Sequence, residues 1–255
     1  MLHQMLRVRW AAWRQLTGEQ RSDMLQQAAT VLRSMESAGS AMFSLLGHKG
    51  DLMLVHFRST FEELNQTENT LAKLPLFDYL ETTGSYLSVV ELGLYDSTAK
   101  VYTALAEKEI APHTPEWNAE IEDTLARQRT AMQPRLFPEI PAHKYICFYP
   151  MDRKRGEHKN WYQLPFAERQ RQMQEHGEIG RRYAGTVRQI ISGSIGFDDW
   201  EWGVDLFAED PLVFKKLIYE MRFDEVSAVY ALFGTFYIGH RIGIDGLTKL
   251  LYLTI

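Results

Sequence analysis

Apolar positions follow two periods along this chain, and the succession of periods occurs twice. In the first half, Leu2 to Trp10 forms a short apolar segment, expected as a strand. Thr17-Gly18-Glu19-Gln20 has the form of a capping box, and behind it Met24, Leu25, Ala28, Val31, Leu32 and Met35 recur at helical spacing. Ala41 to Leu46 and Leu52 to Phe57 read as two strands across the turn Gly47-His48-Lys49-Gly50-Asp51. Ser59-Thr60-Phe61-Glu62 reads as a second capping box, opening a helix to about Lys73, and Tyr86 to Leu94 as a closing strand. The expected order is β-α-β-β-α-β.

The second half repeats it. Lys144 to Tyr149 is a strand pattern, Pro165 to Tyr183 a helix, and Val187 to Ser192 and Glu201 to Phe207 are strands across Gly193-Ser194-Ile195-Gly196. Asp210-Pro211 starts a helix through Met221, and Val229 to Ile238 is the last strand. The duplication predicts an α+β protein of two ferredoxin-like units in tandem, residues 1–95 and 143–240, with antiparallel sheets forming a barrel-like core and helices outside. Residues 96–142 are expected to connect them through a helix from Pro115 to Met132 capped by Thr114, and residues 241–255 form an apolar tail whose docking place the pattern does not give.

Composition narrows the class. A chain of 255 residues, 45% hydrophobic and 24% charged, reads as globular, and a net charge of -5 argues against bulk nucleic-acid binding. The single cysteine, Cys147, lies inside an apolar strand pattern, which excludes an internal disulfide and a cysteine-rich zinc site and predicts a reducing cytoplasm. No apolar run is long enough to cross a bilayer, and the first residues lack the pattern of a signal peptide. The chain opens inside its first expected strand, which leaves room for residues upstream of Met1.

Candidate chemistry gathers in the second half. The run Tyr145-Ile146-Cys147-Phe148 ends in Tyr149-Pro150-Met151-Asp152-Arg153-Lys154-Arg155, where Pro150 is expected to stop the ladder and leave a redox-capable phenol beside three cations at a strand end. Period-two spacing puts Tyr145, Cys147 and Tyr149 on one face, and Gln189 on one face with Val187 and Ile191. On the helix, His176 shares a stripe with Met173, Gly177, Gly180, Tyr183 and Ala184. Two glycines there each cost about 1 kcal/mol relative to alanine, which suits the close approach of something flat, although from these residues alone a glycine-lined helix crossing with a hydrogen-bonded core histidine is the favoured reading. Asp198, Asp199 and Glu201 form an acidic patch, expected as a solvated turn. Arg135 reaches this region only if the connecting segment folds back.

Taken together, Tyr149-Pro150-Met151, Asn160-Trp161-Tyr162, His176-Gly177, Gly185 through Gly196, Glu201-Trp202-Gly203 and Tyr219 through Ser227 resemble the chlorite-dismutase-like haem proteins, most closely the coproheme decarboxylases of Gram-positive bacteria. The resemblance implies a homopentamer of paired ferredoxin-like domains with the porphyrin in the C-terminal half. It implies that iron-coproporphyrin III (coproheme) loses two propionates as carbon dioxide, with hydrogen peroxide as oxidant, to give haem b, and that the preceding ferrochelatase is a transient partner. His176 becomes the axial iron ligand and Tyr149 the catalytic tyrosine. Arg135, Tyr149, Pro150, Met151, Asp152, Arg153, Trp161, Arg181, Gln189 and Ser227 become porphyrin contacts, with Lys154 and Arg155 further cations for four carboxylates. Two positions depart from the pattern: Gln189 stands where chlorite-degrading relatives carry arginine, which disfavours chlorite dismutation, and Arg153 stands where lysine is common. A chlorite dismutase, a haem peroxidase and a non-catalytic haem carrier or sensor are the competing readings.

Overall fold

The computed structural model describes residues 1–91, 103, 105–108 and 110–252. The first half runs β1 (Leu2–Val8), α1 (Trp10–Gln15), α2 (Gly18–Ser37), β2 (Ser40–Leu46), β3 (Leu52–His56), α3 (Phe61–Ala72), β4 (Leu80–Leu87) and β5 (Val89–Val90). After the connecting helix α4 (Pro115–Leu136) come β6 (Tyr145–Arg153), α5 (Phe166–Arg182), β7 (Arg188–Gly193), β8 (Trp202–Ala208), α6 (Leu212–Met221), β9 (Ala231–Phe233), β10 (Tyr237–Ile242) and α7 (Ile244–Leu251).

The ten strands among the described residues form one antiparallel sheet in the order β4-β1-β3-β2-β10-β6-β8-β7-β5, with β9 also on β6. Its two four-strand stretches, 4-1-3-2 and 10-6-8-7, have the same topology, as the duplicated pattern requires. Only Ser88 separates β4 from β5, which lie at opposite ends of that order, so the chain itself closes the sheet into a barrel. The barrel interior collects Met5, Phe43, Met53, Val55, Tyr86, Phe148, Ile190 and Phe207 from both halves. Outside it, α2 and α7 cover the first half with Leu25, Leu32, Leu247 and Leu251, and α6 covers part of the second with Phe214, Leu217 and Met221. Of the expected apolar tail, Ile244–Leu251 docks as α7 on the first half, where Trp13 Nε1 donates to the Leu251 carbonyl at 2.9 Å; residues 253–255 lie outside the described residues.

Several boundaries differ from the pattern. The first strand stops at Val8, and Trp10 opens α1, which drives Trp13 fully into the core. Two overlapping frames fit the second capping box; Thr60 and Glu63 form it, the frame that turns Leu64, Thr67 and Leu71 inward. The expected strand from Tyr86 begins at Leu80, because the polar Glu81-Thr82-Thr83 stretch hides a ladder with β1; residues 92–94 of that expectation lie outside the described residues. The expected final strand splits into a π-helical turn, Val226–Tyr230, then β9 and β10.

Candidate active site

The strand carrying Tyr149 does not end at Pro150. It pairs with β8 as far as Met151 and with β9 as far as Arg153. Within a strand, a residue's N–H and C=O point to the same side. The Pro150 carbonyl accepts from Gly234 at 2.8 Å, so its missing N–H also faces the gap where the neighbour changes from β10 to β9, and no bond to β8 is lost. The continued alternation puts Tyr149, Met151 and Arg153 on one wall of a 250 Å³ cavity. Pro150 and Asp152 face the other side, a correction to their expected place: Pro150 packs on Gly234, and Asp152 Oδ1 accepts the Glu201 N–H at 2.8 Å.

The cavity lies between this sheet face and α5. The sheet contributes Gln189, Ile191, Trp202 and Val204 and the helix contributes Met173 and His176, with Trp161 and Ser227 completing the walls. Gln189 and Ile191 share the expected face. A neighbouring cleft of 500 Å³ shares His176, Gln189 and Met221 with the cavity and adds Gly177, Gly180, Arg181, Arg188 and Arg135. The connecting helix therefore does fold back, and Arg135 and Arg181 stand exposed at this outer part. Lys154 and Arg155 lie outside both spaces; the Lys154 N–H donates to the Tyr230 carbonyl, and Arg155 faces Glu201 at 3.5 Å.

His176 is held by a partner 48 positions away. Its Nδ1 lies 2.9 Å from Asp224 Oδ2, and Asp224 is buried. Asp224 also accepts the Ser227 N–H at 2.8 Å and the Ser227 hydroxyl at 3.1 Å. Burial alone would raise this carboxyl, but the His176 ring and the two Ser227 bonds outweigh it and hold it below its usual range. An ionised carboxylate only accepts, so Nδ1 carries the hydrogen, and a neutral ring then has its lone pair on Nε2. This is the carboxylate–imidazole arrangement that orients metal-binding histidines. Ser227, expected as a porphyrin contact, spends its hydroxyl here.

Tyr149 is buried, its ring stacked on Phe236 at 4.5 Å between centroids and tilted against Phe233 at 5.8 Å. Burial pushes the phenol up, with Cys147 adding to the shift and Arg222 and Arg153 opposing it, so at neutral pH it is protonated. Cys147 lies beneath it with its thiol pushed up to about 12 by burial. Arg153 is buried too, its guanidinium 5.0 Å from the Trp161 ring and its Nη2 3.5 Å from Met173 Sδ. The Arg153 N–H donates to Glu201 Oε2 at 2.8 Å and the Leu87 N–H to Asp198 Oδ2 at 2.9 Å, so two of the three acids expected in a solvated turn anchor backbone, while Asp199 is exposed as expected. Among the described residues no three His, Cys, Asp or Glu side chains cluster to hold a metal ion. Sequence reasoning placed Met173 on the His176 stripe and Trp202 and Asp224 inside matching motifs without giving them a role, and it missed Glu91.

Comparison with known proteins agrees with this geometry. The family model described as chlorite dismutase matches residues 21–242. Coproheme decarboxylase of Staphylococcus saprophyticus is 43% identical, over 99% of this chain and 95% of its own. A heme-binding protein from Thermus thermophilus superposes with a TM-score of 0.81 at 38% identity, covering 98% of this chain and 93% of that one. An arginine-to-alanine variant of chlorite dismutase from Candidatus Nitrospira defluvii shares the fold, with a TM-score of 0.74 at 18% identity over 98% of this chain and 94% of the other. The chain belongs to the chlorite dismutase family.

Proposed function

We propose that this protein is a coproheme decarboxylase, converting iron-coproporphyrin III to haem b with hydrogen peroxide. The observation that carries the reading is His176, fixed at Nδ1 by Asp224 on the helix-side wall of a cavity whose opposite, sheet-side wall holds both Gln189 and Tyr149. The identity to a curated coproheme decarboxylase over nearly the whole chain supports it.

The residues present fit the substrate. His176 Nε2 is a nitrogen ligand for the iron. Gly177 and Gly180 keep the helix face low where a flat ring must lie, since a Cβ at either would meet nothing closer than 3.4 Å. Arg153, Arg135, Arg181 and Arg188 surround the space, and a guanidinium binds a carboxylate through two charge-assisted bonds. When bound, the iron supplies the redox chemistry. The buried phenol of Tyr149, oxidised to its radical, takes a hydrogen atom from a propionate β-carbon; loss of one further electron and of carbon dioxide leaves the vinyl group. Each propionate gives up two electrons and each peroxide accepts two, ending as two waters, so two peroxides serve the whole conversion.

Gln189 argues for this reading over chlorite chemistry, because a neutral amide stabilises an anionic oxychlorine ligand less than arginine does. The assembly we propose is a homopentamer in the cytoplasm, with transient delivery of coproheme from a ferrochelatase. Among the described residues no helix is long and apolar enough to cross a membrane, and Leu212 and Tyr219 of α6 with Phe223 just past its end are exposed apolar side chains available for protein contacts. Tyr149→Phe tests the chemistry: it should keep coproheme affinity and lose vinyl formation, whereas continued decarboxylation would remove Tyr149 from the mechanism.

A further inference from the structure

The strand pairing of β5 extends one residue past Val90. Glu91 N–H donates to the Ile191 carbonyl at 3.1 Å, which sets Glu91 opposite Ile191, two places from the Val89–Gly193 pair. Its side chain therefore shares the face of Ile191 and Gly193. The carboxylate leans across Gly193, where a Cβ would overlap the carboxyl carbon, and Glu91 Oε2 accepts the Trp202 indole N–H at 3.2 Å. Trp202 is itself the cross-strand partner of Gly193. A glycine and an indole thus seat one carboxylate on the sheet-side wall of the cavity, across from His176. Among the described residues lining that cavity it is the only carboxylate.

A carboxylate is out of place there if the wall serves only a tetra-anionic ring. It is in place if the wall must move a proton. A peroxide used as a two-electron oxidant loses a proton from one oxygen and gains one at the other as the O–O bond breaks and water leaves. Gln189, the other polar group of that wall, is an amide and cannot exchange a proton in this range. We propose that Glu91 is the proton-transfer group for peroxide on the face opposite His176, taking the proton from the attacking oxygen and returning it to the departing one; this rests on the decarboxylase reading above. The electrons come from the bound iron-porphyrin substrate and are replaced by the propionate. Glu91 also lines the outer cleft, so it connects the reacting face to solvent. The charged and titratable groups that line the same two spaces from the packed elements are Tyr149 and Arg153 of β6, His176 and Arg181 of α5 with Tyr183 just after it, Arg188 of β7 and Arg135 of α4.

The test is Glu91→Gln in the full chain loaded with coproheme. Glutamine keeps an oxygen for the Trp202 N–H and loses only the proton. The rate constant for peroxide should fall about 100-fold, with its acidic limb gone from the pH profile and coproheme affinity unchanged. Hydrogen cyanide, which must also give up a proton to bind iron, provides a readout without turnover, and its association should slow and lose the same pH limb. Gly193→Ala, which displaces the carboxylate without removing it, should reproduce both losses. Unchanged peroxide and cyanide rates in Glu91→Gln would overturn the role while leaving the decarboxylase reading standing. Slowed cyanide binding in a protein that consumes peroxide without releasing carbon dioxide would uphold Glu91 and sink the decarboxylase reading. A wild-type chain that binds no coproheme would overturn both.

Discussion

The two halves share a topology and differ in what lies between helix and sheet. Over the first half, α2 buries Leu25, Ala28, Ala29, Leu32 and Met35, and the space is filled. Over the second, α5 buries only Gln172 and turns Met173, His176, Gly177 and Gly180 toward a hollow. Each large apolar side chain buried at such a contact is worth about 1.5–3 kcal/mol, so the second half forgoes several of these to stay open. The histidines follow the same division. His56 is buried on β3, hydrogen-bonded to Ser40, and burial followed by the nearby Arg58 pushes it down to about 3, so it is a neutral core residue. His176 keeps one ring nitrogen for Asp224 and presents the other toward the cavity. The first half does hold a larger groove, 1050 Å³ between α2, α3 and the end of α4, but its charged side chains are spent locally. Arg58 donates to three carbonyls and Glu63 caps α3. What distinguishes the site is therefore an unfilled core with an oriented ligand, not the size of a hollow.

The sharpest way to break the comparison is to make the second half like the first. Gly180→Leu extends a side chain toward Met221 and Gln189, where a Cβ fits at 3.5 and 4.0 Å but the rest of a leucine occupies the cavity. It should abolish the coproheme Soret band on titration while thermal unfolding shows an unweakened fold, since glycine in a helix costs about 1 kcal/mol. Retained binding would mean that the ring does not lie against this helix. A smaller effect is expected from Asp224→Asn, which keeps a hydrogen-bond acceptor for His176 but removes the charge. Loss of such a support costs about 10–100-fold in metal affinity or activity, readable as weaker coproheme retention with Tyr149 intact.

The smallest effect belongs to the first half and concerns pH. His56 is depressed from its ordinary 6.5 to about 3, so between those values the unfolded chain binds a proton that the folded chain refuses. The stability associated with His56 is thus complete above pH 6.5 and is lost as pH falls toward 3, by at most about 1.4 kcal/mol per pH unit. His56→Gln should flatten this part of the stability curve in denaturant titrations. An unchanged slope would place the acid sensitivity elsewhere.

The repeated strand and helix pattern was legible because amphipathic periodicity and capping boxes are local, and α2, α3 and α5 follow it closely. The polar β4 and the split of the last strand were not, because both depend on which neighbour supplies the ladder. Pro150 shows the same limit: a proline ends a strand only where its absent N–H faces a partner, and the sequence does not say which side that is. At the site, His176, Tyr149 and Gln189 could be singled out from spacing. Asp224 could not, since it meets His176 only through the packing of α5 against the end of α6. Glu91 escaped for a similar reason, belonging to the first half in sequence and to the second half's cavity in space.

The central claim is that the open second half holds coproheme and turns it over. Mass spectrometry of the porphyrin after anaerobic loading with iron-coproporphyrin III and stepwise addition of peroxide tests it most directly. The predicted result is two successive decarboxylations ending at haem b. Porphyrin that stays bound with all four propionates, or is only bleached, would contradict it.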